Sequence, residues 1–249
     1  KLGPLILVAA AARGPLRAPC RIGDSKKVFS QARGVGTLEP AVLGFAGAPD
    51  FAAQLERLGS RLPEAPWYAP RLVLPKVPSL PGLEGCWARF VDPAEFNAGT
   101  RELNKSDFLF EAAAGLINRV RAERPAPLRF LVGKQGGRRF YRRGLERAVS
   151  PELRVIEETR TRSAYELPGA GVEFLMDAEE RHELVALASM VGKYLRERAM
   201  GLLNAWWAAR VPGLKPTAGY GSDAGRWFRE IEGALAGAGV AREAVWRNR

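Results

Sequence analysis

The sequence predicts an α/β layered fold, and three observations carry that prediction. Short β-branched apolar runs alternate along the chain with stretches of helical periodicity. A long segment near the C-terminal end, Glu183 to Ala209, is rich in Ala, Leu and Met, with only Gly192 and Gly201 as interior breakers and Pro212 just beyond it. With 249 residues, 47% of them hydrophobic and 26% charged, the chain has enough apolar material for one large domain or two small ones. Strands interleaved with helices form layers, a sheet covered by helices, because each element must bury one apolar face.

The elements follow in order. Leu5 to Ala9 (Leu-Ile-Leu-Val-Ala) is a continuous apolar run and predicts a buried strand, followed by a loop punctuated by Gly14, Pro15 and Pro19. Helices are predicted at Leu38 to Phe45 and Asp50 to Leu58, with Asp50 suited to the helix N-terminus. The proline-rich stretch from Leu62 to Pro93 predicts an inserted irregular segment holding one strand-like run, Arg71 to Leu74. Lys105 to Arg124 places Phe108, Leu109, Ala112, Leu116, Ile117 and Val120 at helical spacing and ends before Pro125. A strand is predicted at Leu128 to Val132, then a glycine turn at Gly136-Gly137 and a basic helix from about Arg138 to Val149. Arg154 to Thr159 and Val172 to Met176 read as strands, with Thr161 to Leu167 between them. After the long helix, Ser222-Asp223 caps a last helix through Leu235. The organisation expected is a single domain over 1–249 with the insert at about 62–93 and a C-terminal helical extension.

Composition narrows the function classes. Lys and Arg number 38 against 27 Asp and Glu, a formal net charge of +11. That balance favours a polyanionic partner, although an arginine-rich composition alone gives the same number. Cys20 and Cys86 stand apart with no C-x-x-C or Cys/His cluster, which argues against zinc and disulfide frameworks and for a reducing cytoplasm. No run of apolar residues reaches bilayer-spanning length. The single histidine, His182, lies in Glu-Glu-Arg-His-Glu without a nucleophile context and reads as a solvated residue near a helix start. The basic run Arg138, Arg139, Arg142, Arg143 and Arg147 presents either a phosphate-tracking face or a solvated helix surface. Trp206, Trp207, Trp227, Phe228 and Trp246 read as core residues rather than a stacking platform.

Three separated segments carry a resemblance. Gly23-Asp24-Ser25-Lys26-Lys27 is similar to a D-S-K-x-L element, and Ala188 to Glu197 (Ala-Ser-Met-Val-Gly-Lys-Tyr-Leu-Arg-Glu) to an A-S-I-I-A-K-V-x-R-D helix. Gly219-Tyr220-Gly221-Ser222 is similar to a K-G-Y-G-T turn. Together, in this order, they resemble type 2 ribonuclease H, which cleaves RNA in RNA/DNA hybrids and at ribonucleotides embedded in DNA. The resemblance implies a ribonuclease H-like layered fold, a mixed β-sheet flanked by helices. It implies that the first central strand, with two of four carboxylates, would lie upstream of Gly3-Pro4-Leu5. It also implies nucleic-acid contacts at Ser25, Lys26, Lys193 and Tyr220, to which Arg138 and Arg142 of the basic run are added.

The same resemblance implies a Mg or Mn cofactor, and here the sequence departs from the pattern. The third carboxylate should end the strand Leu128 to Val132, where Gly133 stands; Glu157 and Asp177 are acids that could take its place. The fourth corresponds to Glu197, glutamate in place of aspartate, the one catalytic and metal candidate left in this chain. Two-metal hydrolysis needs several carboxylates to hold ions about 3.5–4 Å apart, and one acid cannot do so. Three readings follow: a domain that binds RNA/DNA hybrid or duplex nucleic acid with hydrolysis lost or impaired and no tightly held metal; a fragment of an active metal-dependent endoribonuclease; or a structural, protein-interaction derivative of the fold.

Overall fold

In the computed structural model, which describes residues 1–30 and 32–248, the apolar run near the start forms β1 (Leu5–Ala11). It pairs antiparallel with β2 (Gly85–Val91), Leu5 opposite Val91 and Ala11 opposite Gly85. Between them lie α1 (Ser25–Val28), α2 (Glu39–Ala46) and α3 (Phe51–Arg57). Asp50 starts α3 as the sequence predicts, its carboxylate accepting a hydrogen bond from the Ala53 amide at 2.9 Å. The proline-rich segment is irregular up to β2, with Val73 making only an isolated bridge to Asp50 rather than a strand. Leu74, Trp67 and Tyr68 from this segment are buried in the main core, so it wraps the domain instead of looping away from it. A helix the sequence reading did not predict, α4 (Pro93–Glu102), begins at its end: Asp92 caps the Glu95 amide and Pro93 occupies the first turn.

The second half builds a larger sheet. After α5 (Lys105–Glu123), β3 (Leu128–Gly133) runs parallel to β6 (Ala170–Leu175). β4 (Arg154–Glu158) and β5 (Arg162–Leu167) complete an antiparallel meander, giving the order β3-β6-β5-β4. A parallel neighbour needs a crossover, and α6 (Arg142–Ala148) lies within the one between β3 and β6. α7 (Ala178–Arg181), α8 (Glu183–Ala208), α9 (Gly221–Glu232) and α10 (Arg242–Val245) follow. The architecture is a mixed α/β arrangement with a mixed sheet flanked by helices, the class the sequence predicts. Among the described residues no helix is long and apolar enough to cross a membrane.

The two sheets are held together by helices. α8 packs against β1 through Val8, whose Cγ2 comes within 3.6 Å of where a Cβ on Gly192 would stand. Ile6 and Val8 join the main core, while Leu7, Ala9 and Ala11 face the other way, against Trp87, Leu116 and Val120. Both faces of β1 are therefore covered, yet all seven residues stay half-buried rather than buried as predicted. Among the described strands β1 has no partner on its edge opposite β2. A second core joins Phe110 and Ile117 of α5 to Leu145, Tyr165 and Phe174. α6 approaches α5 at Gly144, where a Cβ would stand 2.6 Å from the Phe110 ring.

Candidate nucleic-acid interface

α8 organises the site. Its buried side chains Met190, Val191, Tyr194 and Leu195 fix its rotation, which leaves Ser189, Lys193 and Glu197 half-buried at the edge of the core and Arg196 buried beside them. The three motifs, far apart in sequence, meet along this face. Ser25 of α1 shares a hydrogen bond with Ser189 at 2.9 Å, Oγ to Oγ. The Lys193 ammonium lies 4.2 Å from the centre of the Phe29 ring and donates to Glu197 Oε1 at 2.8 Å. Arg196 stacks its guanidinium 4.1 Å from the centre of the Tyr220 ring and donates to the Ala218 carbonyl at 2.8 Å. Tyr220 remains 45% exposed.

The turn that carries Tyr220 depends on glycine. Gly219 has φ +82°, and a Cβ there would meet Arg196 Nη2 at 3.0 Å, the Leu2 carbonyl oxygen at 3.1 Å and Met200 at 3.2 Å. The Gly219 carbonyl accepts from the Leu2 amide at 3.1 Å, which ties the turn to the first residues of the chain.

The candidate residues divide into three kinds. Lys26 is exposed and its ammonium makes no contact with a described residue, whereas Lys27 next to it pairs with Glu180 at 2.6 Å. Ser25 is 6% exposed and committed to Ser189, which makes it the joint between α1 and α8 and leaves little of it for a ligand. Arg138 and Arg142 lie elsewhere, over the second core. The helix predicted from Arg138 begins only at Arg142, because Tyr141 turns inward and stacks on Phe174 at 3.6 Å between ring centres. Arg138 thus lies off the helix; it pairs with Asp107 at 3.1 Å and lies over the Phe110 and Tyr141 rings. Arg142 pairs with Glu146 at 2.7 Å and Arg147 with Glu111, both arginines staying exposed. Of the aromatic residues predicted as core, Trp207, Trp227 and Phe228 are buried, the two tryptophans meeting edge to face, while Trp206 and Trp246 are half-buried against the same core.

The acids are arranged for structure. Glu197 Oε1 is shared by Lys193 at 2.8 Å and Arg196 at 3.2 Å, two cations on one carboxylate. At Gly133 the acid that approaches is neither Glu157 nor Asp177. Glu157 accepts from Arg162 and from Thr159, which hold its carboxyl below the usual range. Asp177 is exposed at a left-handed backbone position (φ 52°). Glu179, at the start of α7, places Oε2 3.9 Å from where a Cβ on Gly133 would stand, a neighbour that no sequence signal marks. No group of three or more Asp, Glu, His or Cys able to hold a metal occurs among the described residues. Gly133 offers no side-chain ligand atom, and Glu197 Oε1 is shared by two cations.

No family model matches the chain, and no curated protein matches it in sequence. Among solved structures, the ribonuclease HII chain in the PCNA:RNase HII complex from Archaeoglobus fulgidus is similar in overall arrangement. The TM-score is 0.47 at 17% identity, over 98% of this chain and 95% of that one.

Proposed function

We propose that this chain is a ribonuclease H-like domain that binds RNA/DNA hybrid or duplex nucleic acid through the α1–α8–Tyr220 face, with two-metal hydrolysis lost or impaired. The observation that carries the reading is the meeting of the three motifs on one face of α8, with Ser25 on Ser189, Lys193 beside Phe29 and Arg196 against Tyr220. Lys26 supplies an exposed ammonium, unpaired among the described residues, at one end of that face and Tyr220 an exposed ring at the other. A phosphate backbone asks for flexible cations, and a sugar asks for a flat apolar face with a polar rim. The net charge of +11 adds long-range attraction for a polyanion.

Glu197 serves as the centre of an ion triad with Lys193 and Arg196, which positions those cations and ties α8 to the Tyr220 turn. The test is equilibrium binding of a fluorescent RNA/DNA hybrid over a series of salt concentrations. The expected result is binding at low salt whose logarithm falls linearly with the logarithm of salt concentration, by about 0.9 per phosphate neutralised. Absence of binding at low salt would remove the reading in favour of a protein-interaction role. That alternative draws on β4, an edge strand with Val155 and Ile156 exposed.

A further inference from the structure

Arg247 is an anomaly of charge. Its residue is 5% exposed, its Nε has no hydrogen-bond partner, and its guanidinium pairs with no carboxylate among the described residues. A buried guanidinium without a counter-ion is costly, and folds retain one where something else supplies the charge. Its position is fixed. The Arg247 amide donates to the Lys1 carbonyl at 2.9 Å, and Asn97 clamps both flanking residues, donating to the Trp246 carbonyl and accepting from the Asn248 amide, each at 2.8 Å. The guanidinium rests 5.3 Å from the centre of the Phe96 ring.

The neighbours make the anomaly larger. Burial first, and then the charge of Arg196, pull the Arg247 pKa down to about 10, still protonated at neutral pH. The charge of Lys105 first, then burial, then the charges of Arg247 and Arg196 pull the Lys1 side-chain pKa down. The acid nearest to Arg196, Glu197, is shared with Lys193. The start of α9 lies close by, since the Leu2 amide donates to Gly219 while the neighbouring Lys1 carbonyl takes the Arg247 amide; α9 has 12 residues, and its Tyr220 cap position supplies no side-chain hydrogen bond. The exposed amides of Gly221 and Ser222 have no partner among the described residues. Asp223 in that first turn is occupied, with one oxygen on Thr217 Oγ1 at 2.5 Å and the other on Arg226 at 2.7 Å.

We propose that Arg247, Arg196 and the amides opening α9 form a binding site for a phosphate-type oxyanion beside Tyr220. The anion would supply the missing counter-charge for Arg247 and accept from helix amides that point at it, the chemistry for which a helix N-terminus is suited. The site goes beyond the nucleic-acid reading and stands without it, since free phosphate and a strand's phosphodiester present the same oxygens.

The experiment is a titration of uniformly ¹⁵N-labelled protein with inorganic phosphate at low millimolar concentration, against sodium chloride at matched ionic strength. Low concentration keeps general salt exclusion from imitating binding. The expected result is a saturable shift of the Gly221 and Ser222 amides and of the Arg247 Nε–H, absent with chloride. In Arg247→Gln, affinity should fall by at least about tenfold, while the melting temperature in chloride does not fall, because an uncompensated charge has been removed. Linear shifts indistinguishable from chloride, or a variant that keeps its phosphate affinity, would overturn the site. If Arg247→Gln fails to fold, the wild-type titration decides alone. A short oligonucleotide without terminal phosphates separates the sources: displacement of bound phosphate assigns the site to a strand backbone, and retention assigns it to a free phosphate. Loss of hybrid binding with saturable phosphate binding intact would count against the functional reading and leave this site standing.

Discussion

Replacing Glu197 with glutamine separates a structural carboxylate from a metal ligand. The substitution keeps the shape and removes the charge that Lys193 and Arg196 share at 2.8 and 3.2 Å. The side chains of Lys193, Arg196 and Glu197 are 24%, 9% and 17% exposed, between the surface and buried limits. Removing one member of a buried pair costs about 3–5 kcal/mol and of a surface pair about 0–1 kcal/mol. Lys193 retains the Phe29 ring and Arg196 the Ala218 carbonyl, which softens the loss. The cost expected for Glu197→Gln is therefore about 2 kcal/mol, between those limits. For a chain of this size that lowers the melting temperature by about 4–8 °C. The assay is thermal unfolding of both proteins with and without millimolar Mg²⁺. Magnesium should leave both transitions in place. A variant as stable as the parent or more so, together with Mg²⁺ raising the parent's transition by several degrees, would refute the ion-triad account.

Lys26→Ala should leave stability unchanged, because its exposed ammonium makes no hydrogen bond or ion pair among the described residues, and should flatten the salt dependence of hybrid binding by about 0.9 in the log–log slope. Arg138→Ala, measured the same way, should leave that slope alone and lower stability instead, since it removes the Asp107 pair and the contact with two aromatic rings. Gly219→Ala should cost more than about 1–3 kcal/mol, the usual strain of a left-handed non-glycine, because the new methyl also crowds Arg196 and Met200; chemical denaturation measures it. Burial raises the pKa of Tyr68 and Tyr165, and raises that of Cys86 to about 12. These groups stay neutral in the fold while the unfolded chain ionises them at ordinary values, so their contribution is complete below about pH 8.5. Stability should fall as pH rises from there through the folded values; a denaturation midpoint that is flat up to pH 11 would contradict that burial.

Long, uninterrupted periodicity made α5 and α8 legible, because a helix of five or more turns averages over local exceptions. Asp50 likewise marked its helix start by a local rule that tertiary contacts did not override. β2 escaped because it follows a run of prolines and owes its strand geometry to β1, a partner distant in sequence. α4 carried its signal in Asp92-Pro93-Ala94-Glu95, a cap followed by proline and an acidic first turn, hidden by treating the whole segment as irregular. Arg138 looked helical from charge spacing alone; the burial of Tyr141 against Phe174 decides otherwise.

The site shows the same division. Lys193, Glu197 and Tyr220 were legible as motif residues, and the structure joins them through Arg196, whose role no spacing rule announces. Ser25 carried a motif identity too, but only the fold shows that its hydroxyl is spent on Ser189. Glu179 and Arg247 had no signal, because each matters through a neighbour supplied by chain folding: Gly133 for the first, and Arg196 with Lys1 for the second.

The central claim, a nucleic-acid-binding face without a two-metal centre, is tested most directly by one sample. A 5′-labelled RNA/DNA hybrid is incubated with excess protein in low salt with Mg²⁺ or Mn²⁺, and half is run on a native gel and half on a denaturing gel. The account predicts a retarded band of intact RNA with either metal. Cleaved RNA would contradict the reading of Glu197 and Gly133, and intact RNA without retardation would contradict the reading of Lys26, Lys193 and Tyr220.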